Sequence, residues 1–166
     1  MRYHVSAVAI RDRHCDPRAC RRAERSNDGD QPGYGKRRTR STGHLQTPPG
    51  TAEYQAWRDP SLDPPALVVQ IGQTQPRYHL RCIDDLHAML RAHGDWMPLG
   101  SADEQEPAAE GTVEAWGRSP DNPVQGWYGI KKGLRGRFGM YVPPVLEALG
   151  LAGLEDNPKN NRIRAK

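Results

Sequence analysis

The first clear run of apolar positions lies near the middle of the chain, at residues 66–72, with the sequence ALVVQIG. This run is rich in β-branched residues and is bounded by prolines and by Gly72, which is typical of a buried strand. Residues 77–82, RYHLRC, alternate instead, with Tyr78, Leu80 and Cys82 on one side. Alternation indicates a strand with one buried face. Because residues 72–76 supply a turn, the pattern predicts an N-terminal β-hairpin.

The apolar spacing then changes from two residues to three and four. The new stripe consists of Ile83, Leu86, Met89 and Leu90. This period predicts an amphipathic helix. Asp84 or Asp85 is its expected N-cap, and Gly94 is expected to end it after His93.

Three further helical segments are predicted downstream. Thr112 precedes a short one at residues 113–117, and residues 142–149 form a clearer one, with Pro143 and Pro144 in its first turn and Gly150 at its end. Residues 126–141, GWYGIKKGLRGRFGMY, contain five glycines. Each glycine disfavours a helix by roughly 1 kcal/mol relative to alanine. The apolar residues of this stretch nevertheless fall at helical spacing, so we predict a helix that contains glycines.

The chain ends in a second predicted β-hairpin. Residues 151–155 and 161–166 form its strands around a turn at 156–160, DNPKN, and the second strand alternates, with Arg162, Arg164 and Lys166 on one side. The predicted fold class is α+β: an N-terminal β-hairpin packed on a helix, followed by a helical segment that ends in a winged-helix-like helix and β-hairpin. Whether these elements share one core or form two is left open by the pattern.

The first 46 residues differ from the rest of the chain. Residues 11–44 are rich in Arg, Asp, Gly and Ser, and such a composition buries too little apolar surface to offset the entropy of ordering. We therefore predict a disordered basic tail at residues 1–46 and a single small α+β domain at residues 47–166. An alternative hypothesis is that the tail is mis-translated upstream sequence and that Leu45 marks the natural start.

Charge divides the chain into three parts. Residues 1–50 hold 11 Lys/Arg and 5 Asp/Glu, residues 51–121 hold 5 and 12, and residues 122–166 hold 8 and 3. The basic pI of 9.1 therefore arises largely from the tail. Within the predicted domain, the basic subregion is residues 122–166.

This subregion holds the candidate functional residues. The basic side chains proposed to contact nucleic acid, DNA in the first instance, are Lys131, Lys132, Arg135, Arg137, Arg162 and Arg164. Lys and Arg neutralise phosphates and release counterions. The competing interpretation is that the charges form a solvated face and the neighbouring aromatics are core residues, with Trp96, Trp116 and Trp127 buried. A protein–protein interaction module is the alternative function.

No catalytic signature stands out. The chain has neither a nucleophile elbow nor a phosphate-binding glycine loop, and its His, Cys and acidic residues lack metal-site spacing. We therefore expect a protein that is not an enzyme, with no metal site and no cofactor. With no apolar run of the roughly 18 residues that span a membrane, no signal-peptide pattern and three cysteines, two of them in the tail, the expected location is cytoplasmic without a membrane partner.

Four phrases of the sequence resemble a known family. They are GDWMP at residues 94–98, EGTVEAWGRSPDNP at 110–123, GWYGIKKGLRGRFGMYVPP at 126–144 and NNRIRA at 160–165. Over residues 47–165 the chain resembles an uncharacterised family of small actinomycete proteins, a domain of unknown function. The resemblance implies a natural start near Thr47 and carries no activity or site residue with it.

Overall fold

A computed structural model of the protein describes residues 41–100, 102–103, 106–130 and 137–166. The chain begins there with a four-stranded antiparallel sheet in the order β1-β2-β3-β4. Its strands are β1 (Ser41–Gln46), β2 (Glu53–Asp59), β3 (Ala66–Gln70) and β4 (Arg77–His79). The predicted hairpin of β3 and β4 is confirmed, with Leu67 opposite Tyr78.

Strand β1 lies inside the segment that was predicted to be disordered. It pairs with β2, with Leu45 opposite Tyr54 and Gln46 opposite Glu53. The predicted end of the disordered tail at residue 46 is therefore too late in the sequence, by at least the length of β1. The rest of the predicted tail, residues 1–40, lies outside the described residues. Leu45 is the only large apolar residue of β1, so pairing with β2, rather than an apolar pattern of its own, defines this strand.

Helix α1 (Cys82–His93) follows β4 and begins two residues before the expected cap. Arg81 occupies the N-cap position without a side-chain cap, while Asp84 and Asp85 lie in the first turn, where carboxylates stabilise the positive end of a helix. Gly94 ends the helix in the left-handed region (φ 75°), and its N–H donates to the Leu90 carbonyl, as predicted. The apolar stripe faces the core.

Beyond α1 the chain forms the two-residue strand β5 (Met97–Pro98) and the short helix α2 (Val113–Trp116). The predicted start of α2 is confirmed: the Thr112 hydroxyl accepts a hydrogen bond from the Ala115 N–H at 3.2 Å. Helix α4 (Pro143–Ala148) also lies where the pattern predicted it, with prolines in its first turn.

The predicted helix over residues 126–141 is wrong in its first part. Residues 126–130 are not helical; their backbone pairs with β4, where the His79 N–H donates to the Tyr128 carbonyl at 2.8 Å and the Ile130 N–H donates to the Arg77 carbonyl at 2.9 Å. Among the described residues of this stretch, α3 (Phe138–Tyr141) is the helical part; residues 131–136 lie outside the described residues. Pairing with a sheet edge has overridden the helical spacing, which the glycines already weakened.

The C-terminal hairpin is confirmed as β6 (Ala152–Leu154) and β7 (Arg162–Ala165). Strand β7 also pairs with β5, which gives a three-stranded antiparallel sheet in the order β5-β7-β6. The mixture of helices and antiparallel sheets thus agrees with the predicted class. The finer winged-helix-like arrangement is not confirmed.

Aromatic side chains form the centre of the core. Phe138 is fully buried and lies 5.3 Å from Tyr128 and 5.8 Å from Tyr78 between ring centroids. Trp116 and Trp127 pack against this cluster, and both, like Trp96, are neither fully buried nor exposed, which agrees with the expectation that these three tryptophans are largely buried. The smaller Phe and Tyr rings lie inside the core, and the bulkier indoles lie at its edge.

Two substitutions test this division of roles. Phe138→Ala is expected to lower the free energy of unfolding by roughly 3–5 kcal/mol, because it leaves a cavity beneath four other rings. Trp116→Ala should cost less, since part of its ring already faces water. Urea denaturation with matched m-values measures both, and a larger loss for Trp116→Ala would contradict the described core.

Candidate nucleic-acid interface

Strand β7 presents its basic residues on one side. Ile163 is buried, whereas Arg162 and Arg164 are exposed, as is Lys166 directly after the strand. Because alternate residues of a strand project to the same side, these three cations are spaced roughly 7 Å apart in a row. The alternation that the sequence predicted for this strand is therefore confirmed.

Trp96 lies beside this row. Since Met97 pairs with Ile163, Trp96 comes next to Arg164, and the Arg164 and Arg162 guanidinium carbons lie 5.1 and 5.8 Å from the indole centroid. The ring reaches towards β6, where its Cη2 atom is 4.0 Å from the position that a Cβ at Gly153 would take. Both arginines are within cation–π distance of the indole. We call Trp96, Arg162, Arg164 and Lys166 together the Trp96 face.

An acidic residue partly neutralises this face. Arg162 donates to the Glu155 carboxylate at 2.6 and 3.0 Å. These hydrogen bonds raise the pKa of Arg162 and lower the pKa of Glu155 from its ordinary value. Because both side chains are partly exposed, solvent screens the pair and it contributes little to stability. Among the described residues, no salt bridge engages Arg164.

The turn of the hairpin is held by its own hydrogen bonds. The Asn161 side chain accepts from the Asn157 N–H and donates to the Asn157 carbonyl, both at 2.7 Å. Asn160 adopts the left-handed region at φ 56°, a conformation that asparagine tolerates better than most residues. Glu155 and Asp156 sit at the start of this turn and Lys159 in its middle, so the tip carries one more acidic than basic residue.

The remaining predicted site residues are Lys131, Lys132, Arg135 and Arg137. Lys131, Lys132 and Arg135 lie outside the described residues. Arg137 precedes α3 in the left-handed region (φ 63°) and pairs with Asp103 at 2.7 Å, which raises the pKa of the arginine. The structure thus brings Arg162 and Arg164 together at Trp96 and engages Arg137 with Asp103.

A buried carboxylate organises the region around Arg137, and the sequence reasoning missed it. Glu114 is fully buried in α2 and accepts from the Gly139 N–H at 2.6 Å and from Arg118 at 2.5 and 2.8 Å. Burial raises the pKa of Glu114 despite these bonds. Arg118 also donates to the carbonyls of Ala102 at 3.0 Å and Glu106 at 3.1 Å. The spacing of four residues between Glu114 and Arg118 is the signal that could have found this pair.

A cleft of about 640 Å³ adjoins the Trp96 face. Prolines at positions 48, 49, 98 and 158 contribute to its walls, and Arg162 belongs to both the cleft and the Trp96 face. The volume lies within the range of small-ligand pockets. The cleft is therefore a second surface feature next to the Trp96 face.

Two observations on the described residues concern metal binding and thiol chemistry. No group of three or more His, Cys, Asp or Glu side chains among them could hold a metal ion. Cys82 is completely buried at the start of α1, and burial raises the pKa of its thiol, which disfavours the reactive thiolate. In the same part of the chain, no helix has the length and apolar character to cross a membrane.

Residues 35–166 match the Family of unknown function (DUF6855), so the resemblance inferred from the sequence phrases is confirmed. The match begins at residue 35, ahead of the expected start near Thr47, and includes β1. No curated protein and no solved structure matches the chain.

The Glu114–Arg118 pair leads to a prediction about stability and pH. Arg118→Met is expected to lower the free energy of unfolding by roughly 3–5 kcal/mol near neutral pH, because it leaves a buried carboxylate without its cation. A carboxyl whose folded pKa is raised contributes stability below its ordinary pKa, and this contribution is lost as pH rises through the raised value. The loss in Arg118→Met should therefore shrink at acidic pH. Urea unfolding across a pH series measures it.

The double variant Glu114→Gln with Arg118→Met is the control. It lacks the titrating carboxyl, so its own stability should not contain this pH-dependent component. A destabilisation of Arg118→Met that stays constant across the pH series would show that packing, and not the buried charge, causes the loss.

Proposed function

We propose, from the premise that the chain belongs to the Family of unknown function (DUF6855), that it binds nucleic acid without catalysing a reaction. The binding surface is the basic C-terminal part of the chain, residues 122–166, together with Trp96. The observation that carries the proposal is the Trp96 face: three exposed cations in a row, two on β7 and one directly after it, with the two on the strand beside an indole. Cations that contact phosphates beside an aromatic ring that contacts bases are the two components of nucleic-acid grooves.

The distribution of charge supports the same surface. Residues 122–166 hold 8 Lys/Arg and 3 Asp/Glu, while residues 51–121 hold 5 and 12. A polyanion is attracted to the first region and repelled by the second, so this asymmetry orients the encounter. The proposal also includes phosphate contacts from Lys131, Lys132, Arg135 and Arg137.

Binding should be largely independent of sequence. Phosphate contacts position a protein on nucleic acid without reading bases, and the cations of the Trp96 face stand in a row that follows a backbone. A DNA ligand is the expectation carried over from the sequence. The alternative is a protein-interaction module, favoured by the proline-lined cleft; it would bind a partner with a shallow salt dependence.

The first test concerns phosphate contacts. The double variant Arg164→Ala with Lys166→Ala, in the full chain, is expected to flatten the log–log dependence of affinity on salt by about 1.4 to 1.8. Each phosphate contact contributes about 0.7 for single strands and 0.9 for duplex DNA. Fluorescence anisotropy of a labelled oligonucleotide across a salt series measures the slope.

The matched control is the double variant Arg58→Ala with Arg91→Ala, which removes two exposed cations from β2 and α1. It changes the net charge equally but should leave the slope close to that of wild type. An equal flattening in both variants would assign the binding to net charge or to the basic tail and would refute the Trp96 face as the surface. Repeating the series with a chain that begins at residue 41, where β1 starts, removes all 11 Lys/Arg and 5 Asp/Glu of the tail.

The second test uses the acid that pairs with Arg162. Glu155→Gln is expected to raise the affinity for nucleic acid several-fold at low salt, because it removes a negative charge and frees the guanidinium for a phosphate. The gain should vanish at high salt. Glu53→Gln, an exposed carboxylate of β2, is the control. Unchanged or weaker binding by Glu155→Gln in the same anisotropy assay would place the phosphates away from Arg162.

A further inference from the structure

We infer that the nucleic acid held by this chain is single-stranded, with a base stacked at Trp96. This inference rests on the proposed function and names its ligand class. The geometry that points to it is the position of the indole. Trp96 lies on the outward side of a short sheet, next to Arg164 in register and within cation–π distance of two guanidinium groups.

Aromatic rings and guanidinium planes are the surfaces on which unpaired bases stack. In a duplex the faces of the bases are covered by their neighbours, so an indole lying along a sheet has little to stack on. In a single strand every base has a face to offer, and stacking accepts any base. The Trp96 face therefore combines a platform for one base with cations for the backbone on either side of it.

The turn of the C-terminal hairpin argues against insertion into a duplex groove. A wing that enters a groove passes between two phosphate backbones and needs a basic tip. Here the tip begins with Glu155 and Asp156 and carries a single cation, Lys159. The cations that are exposed and close to the indole lie along β7 and past its end instead, so the face of the sheet, and not the tip, is the surface that favours phosphate.

The described helices are also poorly suited to a major groove. Helix α3 has four residues, and α4 has six, of which four are buried. Helix α1 is longer, but its first turn carries Asp84 and Asp85, which repel phosphates. A major groove is normally read by an exposed helix or two-stranded ribbon that reaches base edges. The structural features of the described residues thus favour a single strand.

The experiment compares oligothymidine and oligouridine single strands with a duplex of equal length, using the full chain at one salt concentration. Wild type is expected to bind the single strands more tightly than the duplex. Trp96→Leu should weaken single-strand binding roughly 5- to 150-fold, the loss from removing one stacked base, while Trp96→Phe should retain most of the affinity. Trp57→Leu, at a half-buried tryptophan of β2, is the matched control and should bind like wild type.

A measurement on wild type keeps the inference testable if Trp96→Leu fails to fold. The chain has four tryptophans, and their indole N–H signals can be assigned by NMR. Titration with oligothymidine should shift the Trp96 signal and leave that of Trp57 in place. Duplex binding as tight as single-strand binding, a folded Trp96→Leu with unchanged affinity, or an unshifted Trp96 signal would overturn the single-strand inference and leave nucleic-acid binding standing. Absence of binding to all three probes at low salt would overturn the proposed function itself.

Discussion

The buried carboxylate of Glu114 is the constraint around which the middle of this chain is built. A charge removed from water needs hydrogen-bond donors from every accessible direction, and here they come from the Arg118 side chain and the Gly139 backbone. Gly139 can approach because it lacks a Cβ, which would lie 2.4 Å from the Leu99 carbonyl oxygen. The carboxylate thereby joins α2 to α3, and the backbone N–H of Glu114 donates to the Leu99 carbonyl, in the chain that follows β5, at 3.0 Å. The glycine that weakened the helical pattern is a packing requirement.

Sequence patterns predicted the elements whose causes are local. The strand pair at β3 and β4, the end of α1 at Gly94 and the hairpin of β6 and β7 all follow from spacing and turn residues within a few positions. The parts that were missed depend on distant partners. Strand β1 is defined by β2, β5 is defined by β7, and residues 126–130 bond to β4 across about 50 positions of sequence. No local pattern contains that information.

The candidate site shows the same limit. Alternation along β7 was enough to place Arg162 and Arg164 on one side, whereas the sequence analysis expected Trp96 only as a buried residue and not beside them. The tryptophan reaches the arginines only through the register that sets Met97 against Ile163, and these residues are 66 positions apart. Sequence reasoning therefore identified the cations of the Trp96 face but did not predict that Trp96 lies beside them.

Ion pairs reduce the positive charge that residues 122–166 offer to a phosphate. Of the cations counted in residues 122–166, Arg137 is engaged by Asp103 and Arg162 by Glu155. An ion-paired arginine offers a phosphate less than a free one, because the carboxylate must be displaced or its repulsion overcome. The C-terminal region thus offers a phosphate less positive charge than its number of Lys and Arg residues suggests. Among the described residues, the remaining charge is concentrated toward the end of β7. That concentration, next to an indole and away from the acidic hairpin tip, makes the face of the second sheet a better candidate for the binding surface than the basic subregion taken as a whole.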